Sequence, residues 1–244
     1  MNILENMQFP IGILNFHNAN NIGAILVPYA MQKVFTDLGY ASEIINYIPS
    51  WLKVNNRLEN FRKKYLFCSK PLYSRDDLAQ NASRYRTIVA GSDQIWRLRD
   101  TDIYMLNWAE GDVNFISYAA SFGKDKYSGN IPESQAEQLL KRFDAISVRE
   151  KSAVDICEKT FHVSATQTLD PTLLLDSSIY ESLISAVETK EFLNPYLCGV
   201  LLNKKNVLKF QDPQKFKDLP DRFHFMKQLM TWDASEMLKI GLNA

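Results

Sequence analysis

Apolar positions along this chain come in short runs, each ending abruptly in polar or conformationally special residues. The first, Phe9-Pro10-Ile11-Gly12-Ile13-Leu14, has the length and continuity of a strand buried on both faces. It runs into a loop crowded with asparagine, residues 15–23. A helix should follow, because Val27, Met31, Val34 and Leu38 are spaced 4, 3 and 4 apart along one face. Proline is tolerated where a helix has no intrahelical N–H partner to lose, so Pro28 predicts a start near Ala24 or Ile25, and Gly39 predicts the end. Strand signals recur at 42–48, 87–90, 114–120 and 145–148, followed by Pro49, Gly91, Ser121 and Arg149. Helical stretches are expected at roughly 55–67, 75–86, 132–142 and 151–158, with Pro132 at a first helical position. The 169–175 stretch reads as a strand end or a crossing between domains. Beyond it, 180–187 has a helical pattern and 196–202 that of one more strand, and from Asn203 the periodicity weakens. Alternating β and α elements predict an α/β fold: a Rossmann-like parallel sheet with helices on both faces.

Composition adds that such a core can be filled. Hydrophobic residues make up 46% of the 244, with only 9 Gly and 9 Pro, which is globular and not disordered. Lys and Arg total 28 against 28 Asp and Glu, so neither a nucleic-acid backbone nor a basic partner is implied. A small molecule or a saccharide is the expected partner. Cys68, Cys157 and Cys198 are far apart, with no C-x-x-C pair and no nearby His. They suit buried thiols in a reducing compartment, and no metal or cofactor is expected. Glu5 and the lack of a basic cluster before residues 11–14 argue against a cleaved leader. No apolar run approaches the roughly 20 residues that span a bilayer. A cytoplasmic protein without a membrane span is the expectation.

In open α/β sheets ligands gather where strands end at their carboxyl edge, and four predicted strands end there in polar residues. In the first loop, Asn18, Asn20 and Asn21 can bond sugar hydroxyls, and the helix start near Gly23 can hold an anion; capping of that same helix is the competing role. Gly91-Ser92-Asp93-Gln94-Ile95-Trp96 allows close backbone approach at its glycine, and Ser92, Asp93 and Gln94 offer acceptors and donors suited to a polyol. Helix capping is the alternative for Asp93 and Gln94, and Trp96 either stacks on a sugar ring or anchors the loop in the core. Ser121 closes the third strand. Arg149 closes the fourth, as a fork for phosphate or carboxylate or as the partner of Glu150 or a neighbouring helix. His17, in the first loop, is the one histidine placed near this edge, and a structural hydrogen-bonding role suits a lone His there.

Six blocks then occur in order: Phe16-His17-Asn18-Ala19-Asn20-Asn21-Ile22-Gly23-Ala24, Glu43-Ile44-Ile45-Asn46-Tyr47, the 91–96 block, Ile116-Ser117-Tyr118-Ala119-Ala120-Ser121-Phe122-Gly123, Ile146-Ser147-Val148-Arg149-Glu150 and Leu169-Asp170-Pro171-Thr172-Leu173-Leu174-Leu175. Together, over about residues 9–176, the series resembles the polysaccharide pyruvyl transferase family. The resemblance implies the N-terminal half of a fold similar to GT-B, two Rossmann-like domains with a cleft between them. It implies transfer of the carbon skeleton of phosphoenolpyruvate to two hydroxyls of a saccharide, lipid-linked or free, in bacterial envelope or exopolysaccharide assembly. By motif position Arg149 matches a family arginine expected to contact phosphoenolpyruvate. That Asp93 orients or deprotonates the hydroxyl is an expectation from its own chemistry and place in the loop, not from the resemblance.

The chain also departs from its relatives. The family's second domain carries a Ser-Phe-His type motif, whose His is the expected acid, and no such motif is found here. Arg222-Phe223-His224-Phe225 is the nearest imitation, and Arg97 stands where relatives often carry Asn. A full second domain needs on the order of another 100 residues, so residues 1–176 are expected to form one domain and 177–244 a partial second. A partner chain would then be the source of the opposite wall. Three readings stay open: a pyruvyl transferase, a catalytically incomplete saccharide- or anion-binding relative, and a GT-B glycosyltransferase using a nucleotide sugar.

Overall fold

The computed structural model describes residues 11–19, 21–52, 58–97 and 99–185. The chain divides into two compact units, Met1–Asp176 and Ser177–Ala244. In the first, β1 (Ile11–Leu14), β2 (Ser42–Ile44), β3 (Thr87–Ala90), β4 (Asn114–Ala120), β5 (Ala145–Val148) and β6 (Thr166–Gln167) form one sheet in the order β2-β1-β3-β4-β5-β6. Every pairing is parallel. The fold is therefore the expected Rossmann-like α/β sheet, with its strand order reversing beside β1.

The connecting helices are α1 (Ile22–Asp37), α2 (Glu59–Tyr65), α3 (Arg75–Asn81), α4 (Thr101–Tyr104), α5 (Glu133–Leu140) and α6 (Lys151–Lys159). In the second unit α7 spans Ser177–Ser185, and the strand expected at 196–202 lies outside the described residues. The register explains how both sheet faces are covered. Ile13 pairs with Val89, and Val89 with Ile116, so these three point to one face, where they pack with Val27 and Met31 of α1. Their neighbours Leu14, Ile88, Ala90, Phe115, Ile146 and Val148 turn to the other face. There they meet Leu78 of α3, Ile103 and Tyr104 of α4, Leu139 and Leu140 of α5, and Val154 and Ile156 of α6.

Four expectations need correction. Helix α1 starts at Ile22, ahead of Ala24, and holds Pro28 in its interior. The Asn21 side chain sets that start by accepting from Gly23 N at 2.8 Å and Ala24 N at 3.4 Å. Pro28 has no N–H to offer the carbonyl four residues back, a loss that burial of every residue from Ala24 to Met31 outweighs. The local Asn21 cap sets the start of α1, and tertiary packing is what tolerates the proline inside it. The expected apolar stripe also ends early, since Leu38 is 64% exposed. The second strand stops at Ile44, and the chain then turns so that Tyr47 bridges Leu72. The helix expected over 75–86 closes at Asn81 and tightens into a 3-10 turn, Ala82–Arg84.

One irregularity shapes the sheet. Between Ser117 and Ala120 the β4/β5 register shifts, and Ala119 takes a left-handed backbone with φ of +49°. Two serines repair the ladder across the gap. Ser117 Oγ donates to Ser147 O at 3.0 Å and accepts from Ser147 N at 3.1 Å. Ser147 Oγ donates to Ser117 O at 3.1 Å and accepts from Ala119 N and Thr168 Oγ1 at 3.0 and 3.1 Å. A hydroxyl has one donor and two acceptor positions, so Ser147 is saturated. Ser147→Ala should lower stability by about 1–3 kcal/mol, because it strands the buried Ala119 N–H and the Ser117 carbonyl. Urea denaturation with an unchanged midpoint would show that the serine pair carries nothing.

Candidate functional site at the carboxyl edge of the sheet

Because all strands are parallel, their carboxyl ends share one edge. That edge carries Asn46 and Tyr47 after β2, Asn15 to Asn18 after β1, the 91–96 loop after β3, Ser121 to Gly123 after β4, Arg149 after β5 and Asp170 after β6.

At the β5/β6 end, Arg149 stands between two carboxylates. Its Nη1 donates to Asp170 Oδ2 at 2.9 Å and its Nε to Glu150 Oε1 at 3.1 Å, with 28% of the side chain exposed. Asp170 is itself held in place. Ser92 Oγ donates to Oδ2 at 3.3 Å, while Thr172 N and Oγ1 donate to Oδ1 at 3.0 and 2.7 Å. Burial raises the Asp170 carboxyl, but the hydrogen bonds from Thr172 and Arg149 outweigh it and hold its pKa below the usual range. Burial likewise opposes the Arg149 charge, and Glu150 and Asp170 more than restore it.

The 91–96 loop is stitched to β4. Asp93 O accepts from Ile95 N at 2.8 Å and Ser121 N at 3.0 Å, and Trp96 N donates to Ser121 O at 3.2 Å. Asp93 adopts a φ of +94°, a backbone that β-carbon side chains rarely take, and its Oδ1 accepts from Gln94 N at 2.7 Å. That bond closes a turn; no helix begins there. Gln94 Oε1 accepts from Arg97 Nη1 at 2.6 Å. Its amide lies over Gly123, whose φ of +64° is a backbone that glycine takes without strain. Of the two roles open to Trp96, the structure gives the anchor and not the stacking face. Trp96 is fully buried against Phe122 and Phe143, and its Nε1 donates to Tyr104 O at 3.2 Å. Ser92 and Ser121 are also fully buried, the latter accepting from Gly123 N at 2.9 Å.

At the β1/β2 end, the asparagines work inward. Asn18 Nδ2 lies 2.8 Å from His17 Nε2 and 3.0 Å from Asn46 Oδ1. His17 Nδ1 lies 3.3 Å from Asn15 O. His17 Nε2 also lies 3.0 Å from Asn46 Oδ1, so a neutral imidazole either donates from Nδ1 to Asn15 O and accepts from Asn18 Nδ2, or donates from Nε2 to Asn46 Oδ1. Arg62 of α2, 5% exposed, donates from Nε to His17 O at 2.9 Å and from Nη2 to Ala19 O at 3.2 Å, clamping the loop from outside. Asn21 is the α1 cap described above, and Asn20 lies outside the described residues. Asn15 is 1% exposed, and both its amide atoms lack a hydrogen-bond partner among the described residues.

A family model described as polysaccharide pyruvyl transferase matches residues 21–227. The chain belongs to that family. Among curated proteins none matches it. The family's role is pyruvyl transfer in polysaccharide synthesis, with a saccharide as acceptor.

The pyruvyl transferase blocks acquire distinct structural jobs at this edge. The Asp-Pro-Thr stretch at 170–172 buttresses Arg149. Glu43, buried, accepts from Arg84 Nη2 and Tyr85 OH, both at 2.7 Å, and so ties β2 to the approach to β3. Spacing alone missed four residues: Asp170, Asn46, Asn15 and Arg62. Asn46 had a signal, as a polar residue following the apolar pair Ile44-Ile45, whereas Asp170 follows Thr166-Gln167-Thr168-Leu169, which is no apolar run. Arg62 had none, since it is brought to the loop across more than forty residues by the packing of α2 on Tyr29. Among the described residues no helix is long and apolar enough to cross a membrane. Cys68 and Cys157 are thiols pushed up to about 12 by burial, Cys68 being only partly buried.

His17 makes this end pH-sensitive. Burial lowers its pKa from 6.5 to about 4. The unfolded chain therefore takes up the proton first as pH falls. Stability from the neutral imidazole is complete above pH 6.5 and drains as pH falls toward about 4, a loss of about 3 kcal/mol. His17→Gln should flatten that slope in denaturant titrations compared at neutral pH and near pH 4.5. An equal slope in both proteins would refute the assignment.

Proposed function

We propose that this protein transfers the pyruvyl group of phosphoenolpyruvate to two hydroxyls of one sugar residue, giving a pyruvate ketal and phosphate, in bacterial cell-surface polysaccharide assembly. The observation that carries this reading is Arg149, a partly exposed guanidinium at a strand carboxyl end, held by Asp170 in a chain of this family. The reaction protonates the methylene carbon of the donor, so positive charge grows at the carbon bearing phosphate. One sugar hydroxyl attacks that carbon, the carbon–phosphate oxygen bond breaks, and the second hydroxyl closes the ketal. Of the two hydroxyl protons released, one balances the new methyl group and the other the departing phosphate.

Such a path needs a fixed cation for the donor's anionic groups and a base near the hydroxyl. Arginine has five N–H donors, of which Arg149 uses two in its ion pairs, leaving others for carboxylate or phosphate. Asp93 is the base in this reading, on a strained backbone that keeps its carboxylate at the loop's turn.

A second reading, a saccharide- or anion-binding relative without turnover, is favoured by one observation. Glu150 and Asp170 already balance the Arg149 charge, which weakens its pull on a further anion.

Incubating the chain with phosphoenolpyruvate and a panel of free and lipid-linked saccharides, while following phosphate, separates these. Saccharide-dependent release that falls at least about 100-fold in Arg149→Lys supports transfer, because lysine cannot reproduce the fork. Saccharide binding without release supports the second reading, and use of a nucleotide-sugar donor makes the protein a glycosyltransferase instead. Asp170→Asn should raise the KM for phosphoenolpyruvate more than it lowers kcat, because it loosens Arg149 without touching substrate. Equal kinetics in the wild type and the variant would remove Asp170 from the site.

A further inference from the structure

We infer that Trp51, Arg99 and Asp100 form a subsite for a pyranose ring, the place where the acceptor saccharide rests. The inference deepens the proposed function and rests on its saccharide acceptor. Of the tryptophans described, Trp96 and Trp108 are buried, with indole N–H groups committed to the Tyr104 and Ile103 carbonyls. Trp51 is 38% exposed.

Its position is specific. Trp51 follows the carboxyl end of β2, and its indole Nε1 donates to Asp100 Oδ2 at 2.5 Å, a residue beyond the loop that follows β3. Strands β2 and β3 flank β1 in the sheet, so this link joins the segments that leave the two neighbours of β1, the strand beside which the order reverses. Ligands of open α/β sheets settle at that reversal.

Asp100 behaves as a residue kept for another purpose. It occupies the N-cap position of α4 with a left-handed φ of +53°, yet its side chain makes no capping bond. Asn130 Oδ1 accepts from the first helical N–H, Thr101 N, at 2.9 Å. The Asp100 carboxylate is turned to the indole and fixes the ring's orientation. The Arg99 guanidinium lies 5.8 Å from the ring centroid, within cation–π range. A fixed indole, a carboxylate acceptor and a guanidinium donor are what a sugar ring needs. With Arg99 over one face of the indole, the sugar's C–H face takes the other, and its hydroxyls bond the two charged groups. Holding the indole before binding spares the entropy of ordering it afterwards. The sequence offered Trp96 for this stacking role, and the structure moves it to Trp51.

The test uses the full chain and three probes: methyl β-glucopyranoside, methyl β-galactopyranoside and methyl β-mannopyranoside. Saturation-transfer NMR and tryptophan fluorescence report binding, and far-UV circular dichroism checks the fold. At least one glycoside should take saturation on its ring C–H protons, with binding weakened about tenfold in Trp51→Ala and less in Trp51→Phe, which keeps an aromatic face. Equal affinity in wild type and Trp51→Ala, or no glycoside bound by wild type, overturns the subsite. Phosphate release from phosphoenolpyruvate is measured separately. Failure of pyruvyl transfer with glycoside binding intact would therefore leave the subsite standing, and the reverse result would remove it alone.

Discussion

Parallel strands can be joined only by a crossover that carries the chain back over one face of the sheet, and this chain makes that journey five times. The constraint decides most of the architecture. It needs apolar residues on both faces of the central strands, which is why β1 and β3 read as unbroken hydrophobic runs. It also delivers every strand's carboxyl end to one edge. Residues as distant in sequence as Asn15 and Asp170 come to share that edge without any local feature that says so.

The edge has two ends with different physics. Around β1 and β2 the polar groups face inward: His17, Asn18 and Asn46 satisfy one another, and Arg62 closes the loop by holding its carbonyls. A neutral, buried imidazole suits a rigid support better than an acid or base working near neutral pH. Around β5 and β6 charge is kept partly exposed, with Arg149 aimed by Asp170, and Asp170 in turn fixed by Ser92 and Thr172. The bulge at Ala119 lies between these ends. It bends the close of β4 so that Ser121 can pair with Asp93, and the Ser117–Ser147 exchange keeps the sheet intact while it does so.

Strand positions were legible in the sequence wherever burial on both faces leaves no alternative to a short apolar run. β3, β4 and β5 begin and end where that pattern places them. Boundaries set by long-range contact were not. Pro28 is an example, since a rule about isolated helices puts it in a first turn and burial of α1 overrides the rule. The end of β2 is another, for past Ile44 the chain bridges Leu72 through Tyr47, a partner that lies far along the chain.

For the candidate site, the amino-acid sequence determined its chemical inventory: an arginine after one strand, a Ser-Asp-Gln loop after another, an asparagine-rich turn after the first, and membership of a pyruvyl transferase family. Those depend on local order, which a linear chain records. Which way each side chain turns depends on what the fold packs beside it, and only the tertiary structure decided that. Trp96 points into the core because Phe122 and Phe143 are there to receive it, while Trp51 stays partly exposed with its indole N–H held by Asp100. Burial and partnership are properties of the neighbourhood, and in a crossover fold the neighbourhood is made of residues the local sequence never meets.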